Sequence, residues 1–163
     1  AKCPRGERVV ILVTVGTQFF DELIDEVDRL AGEGAIRDRV WAQVGLAKRV
    51  PKHIEHVAFD RELSAKAKTA DLIITHAGTG SVCEFVTLGR PMIAVVNPTK
   101  AGNHQLEFLQ EMSKVYDLCW IASPQGLEAA LNEARIPRPL VGSTVDRLAT
   151  DIAAHLGLAP IVG

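Results

Sequence analysis

Apolar positions along the chain fall into two alternating patterns. "VVILVTV", Val9 to Val15, is an unbroken β-branched run of the kind buried on both faces of a sheet. After the break "GTQ", Phe20, Leu23, Ile24, Val27, Leu30 and Ala31 recur at the spacing of one helix face. The same theme continues. "VWAQVG" and "HIEHVAF" read as short strands, "RELSAKAKTA" as a helix, "DLIIT" as a strand, and "SVCEFVTLG" as a helix closed by Gly89. "PMIAVV" is then a strand, "NHQLEFLQEMSKV" a helix, "DLCWIA" a strand and "QGLEAALNEA" a helix. Strands alternating with helices predict the α/β class, a single doubly wound parallel sheet with helices on both faces. "RIPRPLVGS" is a proline-containing connector before a last amphipathic helix, "TVDRLATDIAAHLG". Residues 134–163 are therefore expected to form a connector and C-terminal helix within a single domain spanning residues 1–163. Val145, Leu148, Ile152 and Leu156 form a stripe there that fits either self-packing on the sheet or docking of a partner.

Composition narrows the class. The chain has 163 residues, 47% hydrophobic and 23% charged, enough to bury one core. A formal net charge of -2, with no block of Lys or Arg, disfavours nucleic acid as a partner. Cys3, Cys83 and Cys119 lie far apart without CxxC spacing, which signals neither a disulfide framework nor zinc and fits a reducing, cytoplasmic setting. The apolar runs have strand length, short of the ~20 residues of a membrane span, and "AKCPRGER" lacks the apolar region of a signal peptide. Any membrane contact is expected to be peripheral.

In open parallel sheets, ligands bind beyond the carboxyl ends of the strands, so the loops after Val15, Thr75 and Val96 are the places for chemistry. The first loop, "GTQ", matches neither GxGxxG nor a P-loop. Gly16 permits close backbone approach to a ligand, or simply turns the chain. The second, "HAGTGSVCE", strips side chains at Gly78 and Gly80 where a strand passes into a helix whose amides would favour a diphosphate. Ser81 and Glu84 have the S-x-x-E spacing of a capping box, which requires no ligand. That box leaves the two glycines unexplained, and a carboxylate one turn into such a helix can accept hydrogen bonds from ribose hydroxyls. His76 is a donor-binding candidate at the end of the same strand, and fits a satisfied strand-end histidine as well. In the third loop, "NPTKAGNHQLEF", Asn103, His104 and Gln105 carry groups suited to sugar hydroxyls, with Asn103 also fitting a plain N-cap. His53 and His56 lack a third ligand nearby in sequence, and no metal site is expected.

"ILVTVGTQFFDELIDEVDRLA", "AQVG", "ADLIITHAGTGSVCEFVTLGRPMIAVV" and "GNHQLEFLQEM" together resemble the donor-binding subunit of two-subunit family-28 glycosyltransferases. That group includes bacterial exopolysaccharide glycosyltransferase subunits and the catalytic subunit of the eukaryotic dolichol-pathway N-acetylglucosamine transferase. The same block is similar to the C-terminal half of the peptidoglycan N-acetylglucosaminyltransferase. The resemblance runs from about Val9 to Met112. It implies a Rossmann-like sheet equivalent to the C-terminal half of a GT-B glycosyltransferase. It also implies that Gly16 and Thr17 lie on the donor side, that Gly78, Thr79, Gly80 and Ser81 face the UDP diphosphate, and that Glu84 holds the ribose. His104 and Gln105 correspond to positions near the donor sugar. Phe59 falls where the uracil is placed, although an apolar aromatic also fits ordinary core.

The implied reaction is inverting transfer of N-acetylglucosamine, glucuronic acid or galactose from a UDP-sugar to a lipid-linked acceptor, with no metal or other cofactor. Stabilising the departing UDP falls to this chain. The catalytic base is not assignable here and is expected on a membrane-associated acceptor-binding partner subunit, so that the chain would be active only in complex and peripheral to the membrane. A non-catalytic nucleotide-binding regulatory or scaffold module would carry the same glycine loops, and predicts UDP binding without turnover.

Overall fold

The structure, a computed structural model, describes residues 10–99 and 102–140. In chain order these form β1 (Val10–Thr14), α1 (Asp21–Gly32), β2 (Arg39–Gln43), β3 (Glu55–Val57), α2 (Leu63–Ala67), β4 (Leu72–His76) and α3 (Thr79–Phe85). There follow β5 (Met92–Val95), α4 (His104–Met112), β6 (Tyr116–Asp117), β7 (Trp120–Ile121), a 3-10 turn (Pro124–Gly126) leading into α5 (Leu127–Leu131), and β8 (Arg138–Pro139). Six strands make one sheet in the order β3-β2-β1-β4-β5-β7, with every pairing parallel. The predicted doubly wound α/β sheet is thus present. Its winding direction reverses between β1 and β4, the topological switch point at which such sheets bind ligands.

The unbroken apolar runs are explained by burial on both faces. On β1, Ile11 and Val13 point into the cluster shared with Leu23, Ile24, Val27 and Leu30 of α1 and Leu127 of α5. Leu12, between them, points into the opposite cluster with Val82 and Phe85 of α3 and Leu109 of α4. A helix covering one face needs only a stripe, and on α1 that stripe is Leu23, Ile24, Val27 and Leu30, each at most 1% exposed. Each such side chain contributes roughly 1.5–3 kcal/mol relative to an exposed position.

Two expectations are corrected near the end of the described chain. "DLCWIA" is not one strand. Tyr116–Asp117 pairs antiparallel with Arg138–Pro139 in a separate two-stranded sheet, and only Trp120–Ile121 joins β5. The connector is accordingly not a free linker at its start. The Met92 N–H donates to the Arg135 carbonyl, the Leu140 N–H donates to the Val115 carbonyl, and the Arg135 guanidinium lies 2.7 Å from Asp117. Pro139 is tolerated because β8 is an edge strand, where a missing N–H breaks no ladder. The expected final helix lies outside the described residues.

Candidate functional site

The carboxyl ends of β1 and β4 bring Gly16 against His76 and Gly78, a segment far from it in sequence. His76, the last residue of β4, is 5% exposed. Its imidazole is wedged between the backbones of Gly16 and Gly78. A Cβ at Gly16 would stand 2.7 Å from Cε1 of the ring, and one at Gly78 would stand 2.3 Å from Nε2. Gly16 also has φ 65°, a left-handed conformation that side chains disfavour. Both glycines are therefore required by local geometry, and two loops approach each other across one ring.

Beyond Gly78 the chain enters α3, which begins at Thr79, two residues earlier than the sequence pattern predicts. Gly78 occupies the N-cap in an extended conformation and no side chain caps the helix. Ser81 lies inside the first turn, so the S-x-x-E spacing cannot form a capping box, which needs its serine at the N-cap. Glu84 instead accepts a 2.5 Å hydrogen bond from the Ser64 hydroxyl of α2 and is exposed. Thr79 and Gly80 are exposed and Ser81 is half-buried. Thr17 is exposed on the β1 side.

The remaining predicted residues lie on neighbouring loops. Phe59 is 53% exposed on the segment after β3, which overturns its reading as ordinary core. The pattern could not show this because β3 ends at Val57, two residues short of the aromatic. Asn103 occupies the N-cap of α4, but its side chain makes no capping bond, and both it and His104 are exposed. Gln105 is engaged within the protein, its Oε1 accepting a 2.8 Å bond from the Asn97 N–H.

The profile of the glycosyltransferase family 28 C-terminal domain matches residues 10–135, from the first strand of the sheet to the turn after α5. The chain belongs to this family. Among curated relatives, the family-28 chain is 32% identical over 117 residues to the UDP-N-acetylglucosamine transferase subunit ALG13 of Homo sapiens, covering 64% of this chain and 10% of the relative. It is 33% identical over 163 residues to the UDP-N-acetylglucosamine--N-acetylmuramyl-(pentapeptide) pyrophosphoryl-undecaprenol N-acetylglucosamine transferase of Phocaeicola vulgatus, covering 91% of this chain and 42% of that protein. The chain thus spans a tenth of the human relative and under half of the bacterial one. The crystal structure of Acinetobacter baumannii MurG superposes with a TM-score of 0.61 at 18% identity, over 79% of this chain and 41% of that one, which shows the shared fold.

Two buried amides that sequence reasoning assigned no role organise the site of this family-28 domain. Gln43, 6% exposed at the end of β2, donates through Nε2 to the Gly16 carbonyl at 3.2 Å and to Thr14 Oγ1 at 3.4 Å, while its Oε1 accepts from the Asp60 N–H at 2.9 Å. Asn97, 3% exposed just past β5, donates through Nδ2 to the Phe19 carbonyl at 2.9 Å, and its Oδ1 accepts from the Thr99 N–H and hydroxyl. Leaving a buried amide unpaired costs about 1–3 kcal/mol, so these partners are strongly specified. The available signal was an amide at the end of an otherwise apolar strand, in "VWAQ" and "PMIAVVN".

Carboxylates on α1 hold the long loop between β2 and β3. Asp21 accepts from the Lys48 N–H at 3.0 Å, Asp25 pairs with Arg49 at 2.7 Å, and Asp28 accepts from the amides of Lys52 and His53 while facing the His53 ring at 3.2 Å. Burial disfavours the charged form of Asp28, but the two backbone amides and the His53 ring outweigh it and hold its carboxyl below the ordinary value. His53 is thereby engaged as a partner of Asp28, and His56 Nδ1 lies 3.3 Å from the Ile54 carbonyl. On the other face, hydrogen bonding to the Lys66 ammonium, followed by the Glu62 amide, holds Asp60 below its ordinary value. Among the described residues, no group of three or more His, Cys, Asp or Glu side chains is arranged to hold a metal ion.

Proposed function

We propose that this family-28 domain binds a UDP-sugar at the β1–β4 switch point and serves as the donor half of an inverting glycosyltransferase acting on a lipid-linked acceptor. The observation that carries the reading is the approach of the Gly16 and Gly78 loops across His76, at the place where a doubly wound sheet receives its ligand, in a chain matched by the family-28 profile. In this reading the backbone from Gly78 to Ser81 receives the diphosphate, Glu84 accepts from the ribose, and the exposed ring of Phe59 stacks on the uracil. Thr17, Asn103 and His104 face the sugar side of the crevice, and Gln105 acts there through Asn97. The relatives named above transfer N-acetylglucosamine, which makes UDP-N-acetylglucosamine the first donor to test.

In the reaction, an acceptor oxygen attacks the anomeric carbon, the bond from that carbon to the diphosphate oxygen breaks, and its electron pair leaves with UDP. The acceptor proton passes to a base on an acceptor-binding unit. Oriented donors aimed at the departing diphosphate stabilise charge that grows only as the bond breaks, which is where such groups accelerate a reaction. This assigns leaving-group stabilisation to the domain without a resident metal, and predicts turnover that survives a chelator. Among the described residues no helix is long and apolar enough to cross a membrane. The proposal places membrane attachment on a partner subunit, a reading supported by the human relative's being named as a transferase subunit.

The test has two stages. The purified chain is screened for thermal stabilisation by UDP, GDP, ADP and CMP, and then assayed for transfer from UDP-N-acetylglucosamine to a lipid-diphosphate acceptor, alone and with candidate acceptor-binding subunits. Selective UDP binding, with transfer on adding the partner, is the expected result. Stabilisation by ADP but not UDP would overturn the donor assignment, UDP binding without turnover beside a cognate partner would point to a scaffold, and full turnover by the chain alone would overturn the two-subunit arrangement.

A further inference from the structure

We infer that Gln43 and Asn97 are positioning residues that lock the Gly16–Phe19 loop into its ligand-receiving shape and tie it mechanically to the loops that carry the base and sugar contacts. The inference rests on the UDP-sugar reading of the crevice and adds how that crevice is held.

The loop after β1 has one carbonyl anchored at each end. Gln43 reaches the Gly16 carbonyl from β2, and Asn97 reaches the Phe19 carbonyl from the far side of β4. Each amide then passes the connection on. Through Oε1, Gln43 holds the Asp60 N–H, fixing the residue beside exposed Phe59. The Asn97 backbone N–H is itself held by the side chain of Gln105 at the start of α4. The orientation of each side chain is dictated by its partners, because its oxygen must face an N–H and its nitrogen a carbonyl.

Apolar residues of similar length would fill the same volumes at less desolvation cost, yet would hold none of these carbonyls. A buried network satisfied at both ends specifies one arrangement, so loss of either amide frees the loop without opening the sheet beneath it. Positioning of this kind matters for a ligand bound by backbone groups, since a preorganised loop avoids the ordering cost that a free one would pay on binding.

The test uses the whole chain with Gln43→Met and Asn97→Leu. Calorimetry measures the UDP dissociation constant, and hydrogen exchange follows the amides of residues 17–19 against those of β1. Each variant is expected to bind UDP about tenfold more weakly, with exchange at 17–19 faster by a similar factor and β1 protection unchanged. If Gln43→Met fails to fold, Asn97→Leu, which releases the Phe19 carbonyl at the other end of the same loop, carries the test with the same expected outcome. Wild-type UDP affinity in folded variants overturns the inference while leaving the donor reading intact. Weaker binding accompanied by loosened β1 protection also overturns it, by showing a general structural role. Absence of UDP binding by the unsubstituted chain overturns the donor reading itself, and the inference with it.

Discussion

At the scale of the residue, Phe59 and Glu84 separate binding from stability. Phe59 is 53% exposed and contributes little to either core cluster. Phe59→Ala is expected to leave unfolding free energy within about 0.5 kcal/mol of the parent. UDP affinity should fall by the roughly 1–3 kcal/mol typical of a lost base–aromatic stack. Calorimetric titration beside chemical denaturation checks both, and unchanged affinity would remove Phe59 from the site. The Glu84 carboxylate accepts from the Ser64 hydroxyl through Oε1 and, being exposed, remains able to accept from a ribose. Glu84→Gln should weaken UDP binding by about 1.5–3 kcal/mol, the range for hydrogen bonds to a charged group, with only a small change in unliganded stability. The opposite pattern, lowered stability at intact affinity, would make Glu84 a tether between α2 and α3. Both residues were legible as candidates in the sequence, but their exposure was not, because exposure depends on where β3 ends and on which helix faces α3.

Elements impose a different kind of constraint. The β1 and β4 loops are coupled through the His76 ring, so Gly78→Ala is expected to cost about 1–3 kcal/mol from overpacking against that buried ring. In a His76→Ala background the same substitution should cost much less, and a double-mutant cycle measures the difference. Additive costs would show that the wedge is not what requires glycine. The loop held by α1 makes a pH prediction. The folded Asp28 carboxyl is depressed, so its contribution to stability is complete above the unfolded value of about 3.9 and is lost as pH falls through the lower folded value. Asp28→Asn should therefore lower stability at neutral pH and flatten the acid limb of a stability–pH curve below about pH 4. An acid limb as steep as the parent's would place that titration elsewhere. The apolar stripe of α1 was visible in sequence, whereas the role of Asp21, Asp25 and Asp28 was not, because their partners came from a loop whose path periodicity does not describe.

For the molecule as a whole, the donor reading predicts linkage between ligand and fold. At a UDP concentration 100 times the dissociation constant, binding adds about 2.7 kcal/mol to stability, and for a chain of this size each kcal/mol raises the melting temperature by about 2–4 °C. A shift on the order of 5–10 °C with UDP, and none with ADP, is the expected scan. In the donor reading the site draws on the loops after β1, β3, β4 and β5, so the stabilisation is expected to be global and cooperative.

The sequence by itself determined the elements and their class. Runs such as Val9 to Val15 must be buried on both faces, the α1 stripe must cover one, and their alternation leaves a parallel sheet as the way to satisfy both. It also marked "HAGTGSVCE" as a loop where backbone approach matters. Tertiary structure alone decided that the winding reverses between β1 and β4, which sets Gly16 and Gly78 against one imidazole, and that Gln43 and Asn97 close over the loop between them. It also split "DLCWIA" between two sheets once Arg138–Pro139 supplied a partner for Tyr116–Asp117. The physical reason is range. Periodicity records which side of its own element a residue occupies, while a buried amide or a glycine wedge is defined by atoms arriving from strands far away in sequence.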